Sequence, residues 1–159
     1  MAKVLVVYHS RSGNTEKMAH AVAKGVKKVK GVTVEVKKAE DTTNEDLLSA
    51  DGIILGSPTY YGQMSAKLKS LIDKSVKIHG KLNGKVGAAF TSSGLEAGGA
   101  ETTLLSILQT MLVHGMIIKG RDDKKHYGAA AVGSPNQSVI EDCEELGKSV
   151  AALVVKLKS

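Results

Sequence analysis

Aromatic side chains are scarce in this sequence, and tryptophan is absent. Only Phe90 and four tyrosines, Tyr8, Tyr60, Tyr61 and Tyr127, carry aromatic rings, which amount to 3% of the 159 residues. A tyrosine that lies outside an apolar run therefore calls for an explanation other than core packing. The adjacent pair Tyr60 and Tyr61 is a candidate for contact with a planar ligand.

Cysteine occurs once, at Cys143, so an internal disulfide is impossible. This residue lies on the apolar stripe of a helical pattern, which indicates a small core residue. No apolar run is long enough to span a bilayer. The first ten residues, MAKVLVVYHS, lack the apolar region and cleavage site of a secretory signal. We therefore expect a cytoplasmic protein without membrane insertion.

Arginine is also rare, since Arg11 and Arg121 are the only two, and lysine supplies nearly all of the net charge of +6. Nucleic-acid sites depend on arginine and on aromatic stacking, so we expect no nucleic-acid partner. The lysines recur in residues 24–38 and 67–85. We interpret them as solvated faces whose charge favours an acidic protein partner or the anion NAD(P)H.

The five histidines are scattered along the chain, and no cysteine–histidine spacing fits a metal site. The sequence also offers no convincing pair of nucleophile and general base. We therefore predict no metal site and no catalytic side chain.

Apolar runs alternate with helical patterns along the whole chain. Strands are predicted over residues 3–8, 32–38, 52–57, 85–93 and 116–120. Helices are predicted over residues 14–29, 43–50, 64–76, 100–114 and about 137–157. This alternation predicts one α/β domain over residues 1–159, a doubly wound sandwich with a parallel sheet and helices on both faces. Such folds bind ligands at the carboxyl ends of the strands.

The segment SRSGNT joins the first predicted strand to the first predicted helix. Its candidate binding residues are Ser10, Arg11, Ser12, Gly13, Asn14 and Thr15. A helix N-terminus offers unpaired N–H groups and a positive partial charge, and both favour a phosphate. The alternative is a simple capping turn with Asn14 or Ser12 as the N-cap. The segment matches neither the GxxxxGK[ST] nor the GxGxxG pattern, which argues against a nucleoside triphosphatase and a dinucleotide site.

Two further loops follow predicted strands. The candidate residues in the first are Pro58, Thr59, Tyr60, Tyr61 and Gly62, and those in the second are Ser92, Ser93, Gly94, Gly98 and Gly99. One tyrosine could lie flat on a planar ring, although one packed inward and one merely exposed is an equal alternative. The glycine-rich loop offers backbone groups to the polar edge of a heterocycle. A ligand with one phosphate and one planar polar head satisfies all three loops, and FMN is such a ligand.

These three segments also resemble segments of a known protein family. SRSGNTEKMA resembles the phosphate loop of the flavodoxin-like superfamily, and GSPTYYGQMSAKLKSLID and TSSGLEAGGAETTLLSILQTMLVHGM resemble its second and third flavin loops. They are most similar to the flavodoxin-like NAD(P)H:quinone oxidoreductases. The resemblance implies a five-stranded parallel sheet of order 2-1-3-4-5. It also implies that residues 10–15 hold the FMN phosphate, and that residues 58–62 and 92–99 hold the isoalloxazine.

Three features depart from that branch. The branch commonly has paired histidines before Gly-Met, whereas this chain has Val113 and His114. His114 is then either a flavin-site histidine or a residue at a helix end. The segments 37–48 and 120–128 are compact, and tryptophan is missing from any quinone pocket.

Three functions remain open from the sequence. The leading hypothesis is electron transfer through bound FMN, because compact loops suit a carrier. The alternative is an FMN-dependent NAD(P)H:quinone oxidoreductase, which the motifs favour. The third is an interaction module without flavin, which the intact phosphate loop argues against. The expected partners are a redox protein, or NAD(P)H and a quinone, and the expected state is a monomer or small homo-oligomer.

Overall fold

The computed structural model describes all residues, Met1–Ser159. The strands are β1 (Ala2–Tyr8), β2 (Val32–Lys38), β3 (Gly52–Pro58), β4 (Val86–Ser93), β5 (Ile117–Ile118) and β6 (Ala129–Val132). The helices are α1 (Asn14–Lys27), α2 (Asn44–Ser49), α3 (Ala66–Lys74), α4 (Ala100–Val113) and α5 (Gln137–Lys158). Short 3₁₀ turns occupy Ala39–Asp41 and Ser75–Ile78. No helix has the length and apolar character needed to cross a membrane.

The strands form one parallel sheet in the order β2-β1-β3-β4, with β5 and β6 both beside β4. β5 pairs with the start of β4 at Val86 and Gly87, and β6 pairs with its end from Phe90 to Ser93. The predicted order 2-1-3-4-5 is therefore confirmed, with one correction. The fifth position holds two short strands separated by residues 119–128, so the sheet has six strands rather than five.

Alternation along β1 builds the core on both faces of the sheet. Val4, Val6 and Tyr8 belong to the cluster that includes residues of α1 and α5. Leu5 and Val7 belong to the opposite cluster, with residues of α2, α3 and α4. Successive side chains of a strand point to opposite faces, so an unbroken apolar run such as VLVVY is what a doubly covered strand requires. The predicted sandwich with helices on both faces is confirmed.

Helices α1 and α5 pack closely through two glycines. A Cβ added at Gly25 would overlap the backbone carbonyl of Glu144, and one at Gly147 would overlap the carbonyl of Val22. Each glycine therefore lets the backbone of the other helix approach. Two salt bridges cross the same contact, from Lys24 and Lys28 to Glu144.

His114 lies at the C-terminal end of α4, at the sheet edge opposite the predicted flavin loops. Its Nε2 lies 2.7 Å from the hydroxyl of Ser75, and that hydroxyl donates its proton to the carbonyl of Ile72. Nε2 is therefore the donor, and Nδ1 carries the lone pair. Burial, reinforced by nearby His79, lowers the pKa of His114. The structure thus supports a helix-end residue and not a flavin-site histidine.

We predict that Gly25→Ala and Gly147→Ala each destabilise the protein. Alanine favours a helix by about 1 kcal/mol over glycine. The overlap with a backbone carbonyl forces the helices apart, however, at a cost on the order of 1–3 kcal/mol, and the net change is a loss of stability. Chemical denaturation measures it. Lys148→Ala, at an exposed position beside Gly147, should leave the unfolding free energy nearly unchanged. Stabilisation by either glycine substitution would contradict the close packing.

Candidate functional site

The carboxyl ends of β1, β3 and β4 lie side by side, and three loops leave from that edge. The loops join β1 to α1, β3 to α3 and β4 to α4. Thr15 and Ser92, from the first and third of these segments, share a buried hydrogen bond of 2.8 Å between their hydroxyls. The backbone N–H of Thr59, from the second, donates to the carbonyl of Ser92 at 2.8 Å. The structure therefore brings together the three segments that the sequence predicted.

The first loop ends in a glycine cap. Gly13 is the N-cap of α1, with φ +94°, and no side chain caps the helix. The alternative with Asn14 or Ser12 as the N-cap is therefore wrong. The N–H of Gly13 donates to Ser10 Oγ at 3.1 Å, and its carbonyl accepts from Lys17. The N–H groups of the first helical turn, residues 14–16, have no acceptor within the chain. With the positive end of the helix dipole, they form a suitable anion cradle.

The polar residues of this loop differ in exposure. Arg11 and Ser12 are exposed, and Ser10 and Asn14 are partly buried. Thr15 is buried, and its hydroxyl is engaged with Ser92. Thr15 therefore ties α1 to β4, and its backbone N–H is the group that remains for a ligand.

The second loop is a tight turn that presents an exposed ring. Tyr60 and Gln63 exchange two backbone hydrogen bonds of 2.9 and 3.0 Å. Tyr61 and Gly62 between them have φ of +52° and +74°, a pair typical of a type I′ turn. Tyr61 is fully exposed, whereas Tyr60 is partly covered. A large side chain rarely adopts positive φ without a compensating role, so Tyr61 is a candidate for ligand contact.

His9 is a residue of this edge that sequence reasoning missed. Its ring meets Tyr60 edge-on, with 6.3 Å between the centroids, and its buried Nδ1 has no partner in the chain. Burial lowers the pKa of His9, with Glu40 opposing and Lys67 reinforcing the shift. The available signal was the position of His9 directly before Ser10, at the end of an apolar run.

The third loop packs against the second through backbone. A Cβ on Gly99 would lie 2.6 Å from the Cα of Gly62, so only glycine fits at this contact. Gly99 also caps α4 with φ +104°. Ser93 is held by its own loop, because its hydroxyl donates to the carbonyl of Leu95 at 2.8 Å. Gly94 and Gly98 are exposed, and the N–H of Gly98 donates to the carbonyl of Leu95 at 3.2 Å.

Pro58 and Thr59 are fixed by the end of β4. Pro58 is the last residue of β3 and pairs with Ser92. Thr59 Oγ1 shares a hydrogen bond of 2.8 Å with Thr91 Oγ1, which in turn donates to the carbonyl of Ser57. The turn that carries the tyrosines therefore projects from a rigid base.

Charge is distributed unevenly between the two edges of the sheet. Lysines cluster at the edge opposite the three loops: Lys27, Lys28, Lys30, Lys74, Lys77, Lys81, Lys85, Lys156 and Lys158. The edge with the loops carries seven acidic residues, Glu16, Glu40, Asp41, Glu45, Asp46, Glu96 and Glu101. It carries five basic residues, Arg11, Lys17, Lys37, Lys38 and Lys67. The nine lysines of the opposite edge therefore lie away from the three loops. Helix dipoles explain the pattern, because acids favour helix N-termini and lysines favour C-termini.

The residues at this edge can hold an anion and a planar ring at the same time. The first loop offers unpaired N–H groups, the second offers an exposed aromatic ring, and the third offers an exposed backbone. This donor set fits a flavin mononucleotide, with one phosphate and one heterocycle. The individual contacts of residues 10–15, 58–62 and 92–99 with FMN stay a prediction.

Comparison with known proteins agrees with this geometry. Residues 37–122 match the family described as NADPH-dependent FMN reductase. A protein named flavodoxin from Aquifex aeolicus is 41% identical over 162 aligned positions, which cover 97% of this chain and 88% of the relative. An NAD(P)H dehydrogenase (quinone) from Archaeoglobus fulgidus is 38% identical over 191 positions, which cover 99% of this chain and all of the relative.

Solved structures show the same fold. A flavodoxin from the domain Archaea superposes with a TM-score of 0.81 at 31% identity, covering 96% of this chain and 99% of the other. A flavodoxin, WrbA-like protein from Agrobacterium tumefaciens also gives 0.81, at 28% identity, covering 98% and 99%. The resemblance and the prediction of an FMN-dependent redox protein are confirmed at the level of the family. The chain belongs to the flavodoxin-like NADPH-dependent FMN reductase family.

Proposed function

We propose that this chain is a flavodoxin-type electron carrier that binds FMN within a single domain over residues 1–159. The observation that carries the proposal is the number of added positions in its alignments with its two kinds of relatives. The alignment with the flavodoxin relative spans 162 positions, close to the 159 residues of this chain. The alignment with the quinone dehydrogenase relative spans 191 positions. That relative therefore contains internal segments that are missing here. The compact segments 37–48 and 120–128 are where such additions would lengthen the loops.

The first-turn N–H groups of α1 and the side chains of residues 10–14 would hold the phosphate. Tyr61 and the backbone of residues 94–99 would hold the isoalloxazine. Bound FMN supplies the electron-accepting and electron-donating chemistry. The chain's own residues bind it, orient it and leave one edge accessible.

The charge pattern determines which partner suits the exposed edge. Acidic residues outnumber basic ones at the edge of the sheet that carries the three loops, so a redox protein with a basic docking face is favoured there over an acidic one. This revises the partner expected from net charge alone, because the largest group of lysines lies at the far edge. We also propose a cytoplasmic location, consistent with a free and buried Cys143.

A second candidate function is that of an NAD(P)H dehydrogenase (quinone). The alignment with the Archaeoglobus relative over nearly the whole chain favours it. Anaerobic mixing with NADPH, and separately with NADH, distinguishes the two functions. For a carrier we expect the visible absorbance of bound FMN to bleach slowly with either nucleotide. Rapid bleaching that an added quinone reverses would establish the dehydrogenase instead.

We predict that Gly13→Ala weakens FMN binding more than riboflavin binding. The position has positive φ, so alanine strains the loop that forms the cradle, at a cost of about 1 kcal/mol or more. The loss should be several-fold for FMN, because only FMN carries the phosphate. Fluorescence titration of the apoprotein measures both affinities.

The matched control is Gly31→Ala. Gly31 also has positive φ and open space around it, but it lies before β2 at the opposite edge of the sheet. The Gly31→Ala variant should lose folding stability to a similar degree as Gly13→Ala and should keep its preference for FMN over riboflavin. Equal losses of FMN and riboflavin affinity in Gly13→Ala would contradict the assignment of the phosphate to this loop.

We predict that Tyr61→Asn weakens the binding of FMN and the binding of riboflavin to the same degree, without loss of folding stability. Asparagine tolerates the positive φ at this position, so the backbone is preserved while the ring is removed. A lost stacking contact of about 0.5–1.5 kcal/mol lowers both affinities roughly two- to tenfold. Tyr127→Asn removes another exposed ring and should leave both affinities unchanged. Unaltered flavin binding in Tyr61→Asn would show that this ring has no role in the site.

A further inference from the structure

Tyr8 and Glu16 form a contact that the predicted site residues do not include. Tyr8 is the last residue of β1, and its side chain is buried among residues of α1 and α5. Its hydroxyl donates to Oε1 of Glu16 at 2.9 Å. Glu16 is the third residue of α1, within the turn whose N–H groups form the anion cradle. The same carboxylate oxygen lies 3.9 Å from Nε2 of His20 on the same helix.

A glutamate at this helix position usually turns back to the helix N-terminus. In a capping box its carboxylate accepts from the N–H of the N-cap residue. Here the N–H of Gly13 is already donated to Ser10 Oγ, and the Glu16 carboxylate is directed to Tyr8 instead. The chain therefore keeps its own negative group away from the position that best attracts an anion.

We propose that Tyr8 is a positioning residue that holds the Glu16 carboxylate away from the first turn of α1 and so reserves that turn for the phosphate of FMN. This inference rests on the proposed binding of the FMN phosphate at the first loop. Without the hydroxyl of Tyr8, the carboxylate is free to turn toward the N–H groups of residues 14–16. It then competes with the phosphate and also repels it.

The protonation state of the Tyr8 hydroxyl is consistent with this role. Burial, together with the hydrogen bond to Glu16, raises the pKa of Tyr8 to about 12. The hydroxyl therefore stays protonated and able to donate across the ordinary pH range.

The test uses Tyr8→Phe, Glu16→Gln and the double variant of the full chain. Titration of each apoprotein with FMN and with riboflavin gives two affinities. We expect Tyr8→Phe to lower the affinity for FMN roughly three- to tenfold and to change the affinity for riboflavin little, since the competing charge acts on the phosphate alone. Glu16→Gln should bind FMN as well as the unchanged protein, or more tightly. The double variant should regain the affinity that Tyr8→Phe loses.

A second measurement avoids the cofactor altogether. Inorganic phosphate should raise the melting temperature of the apoprotein, because it binds the folded state. The rise should be smaller in Tyr8→Phe and restored in the double variant. Tyr127→Phe, which also removes one tyrosine hydroxyl, should behave like the unchanged protein in both assays.

Each contrary outcome has a distinct meaning. If Tyr8→Phe lowers FMN and riboflavin affinity equally, Tyr8 acts through packing and the proposal is overturned. If the double variant stays as weak as Tyr8→Phe, the effect does not pass through Glu16 and the proposal is again overturned. If the unchanged protein binds riboflavin as tightly as FMN, the phosphate site itself fails, and the inference fails with it.

Discussion

The central position of β1 is the constraint on which the rest of the structure depends. β1 pairs with β2 on one side and β3 on the other, and helices cover both of its faces. A strand in this position has no solvent face, so its sequence must be apolar until it leaves the sheet at Tyr8. The order in which strands join the sheet also reverses at β1, with β2 on one side and β3 on the other, so the loop that follows β1 opens into a crevice. The first turn of α1 therefore points into that crevice whatever side chains it carries.

The same arrangement organises the charge of the molecule. All strands are parallel, so the connecting helices run back across the sheet with their N-termini at one edge and their C-termini at the other. Their dipoles add, and the side chains follow them, with acids near the N-termini and lysines near the C-termini. Net charge alone suggested a basic protein that attracts acidic partners. In the fold these charges lie at two edges of the sheet that differ in character.

The anion cradle depends on the backbone N–H groups in the first turn of α1, which have no acceptor within the chain. Gly13 caps the helix without a side chain, and Ser10 occupies the N–H of Gly13 itself. Glu16 is directed to Tyr8, and the hydroxyl of Thr15 is engaged with Ser92. The side chains of Ser10, Thr15 and Glu16 therefore do not occupy the N–H groups of residues 14–16, which remain free. An ordinary capping turn would have satisfied those groups internally.

The sequence by itself determined the order of strands and helices and the three loops of the site, because apolar periodicity and glycine-rich strand ends are local signals. It could not reveal that the fifth position is shared by Ile117–Ile118 and Ala129–Val132, since such short strands carry too little pattern. Nor could it pair Thr15 with Ser92 or place His9 against Tyr60, because those contacts join residues far apart in the chain. Only the tertiary structure decided which hydroxyl groups are engaged, which tyrosine is exposed and which edge holds the lysines. Those outcomes depend on how helices and strands pack in space, and periodicity along a chain does not encode distance between segments.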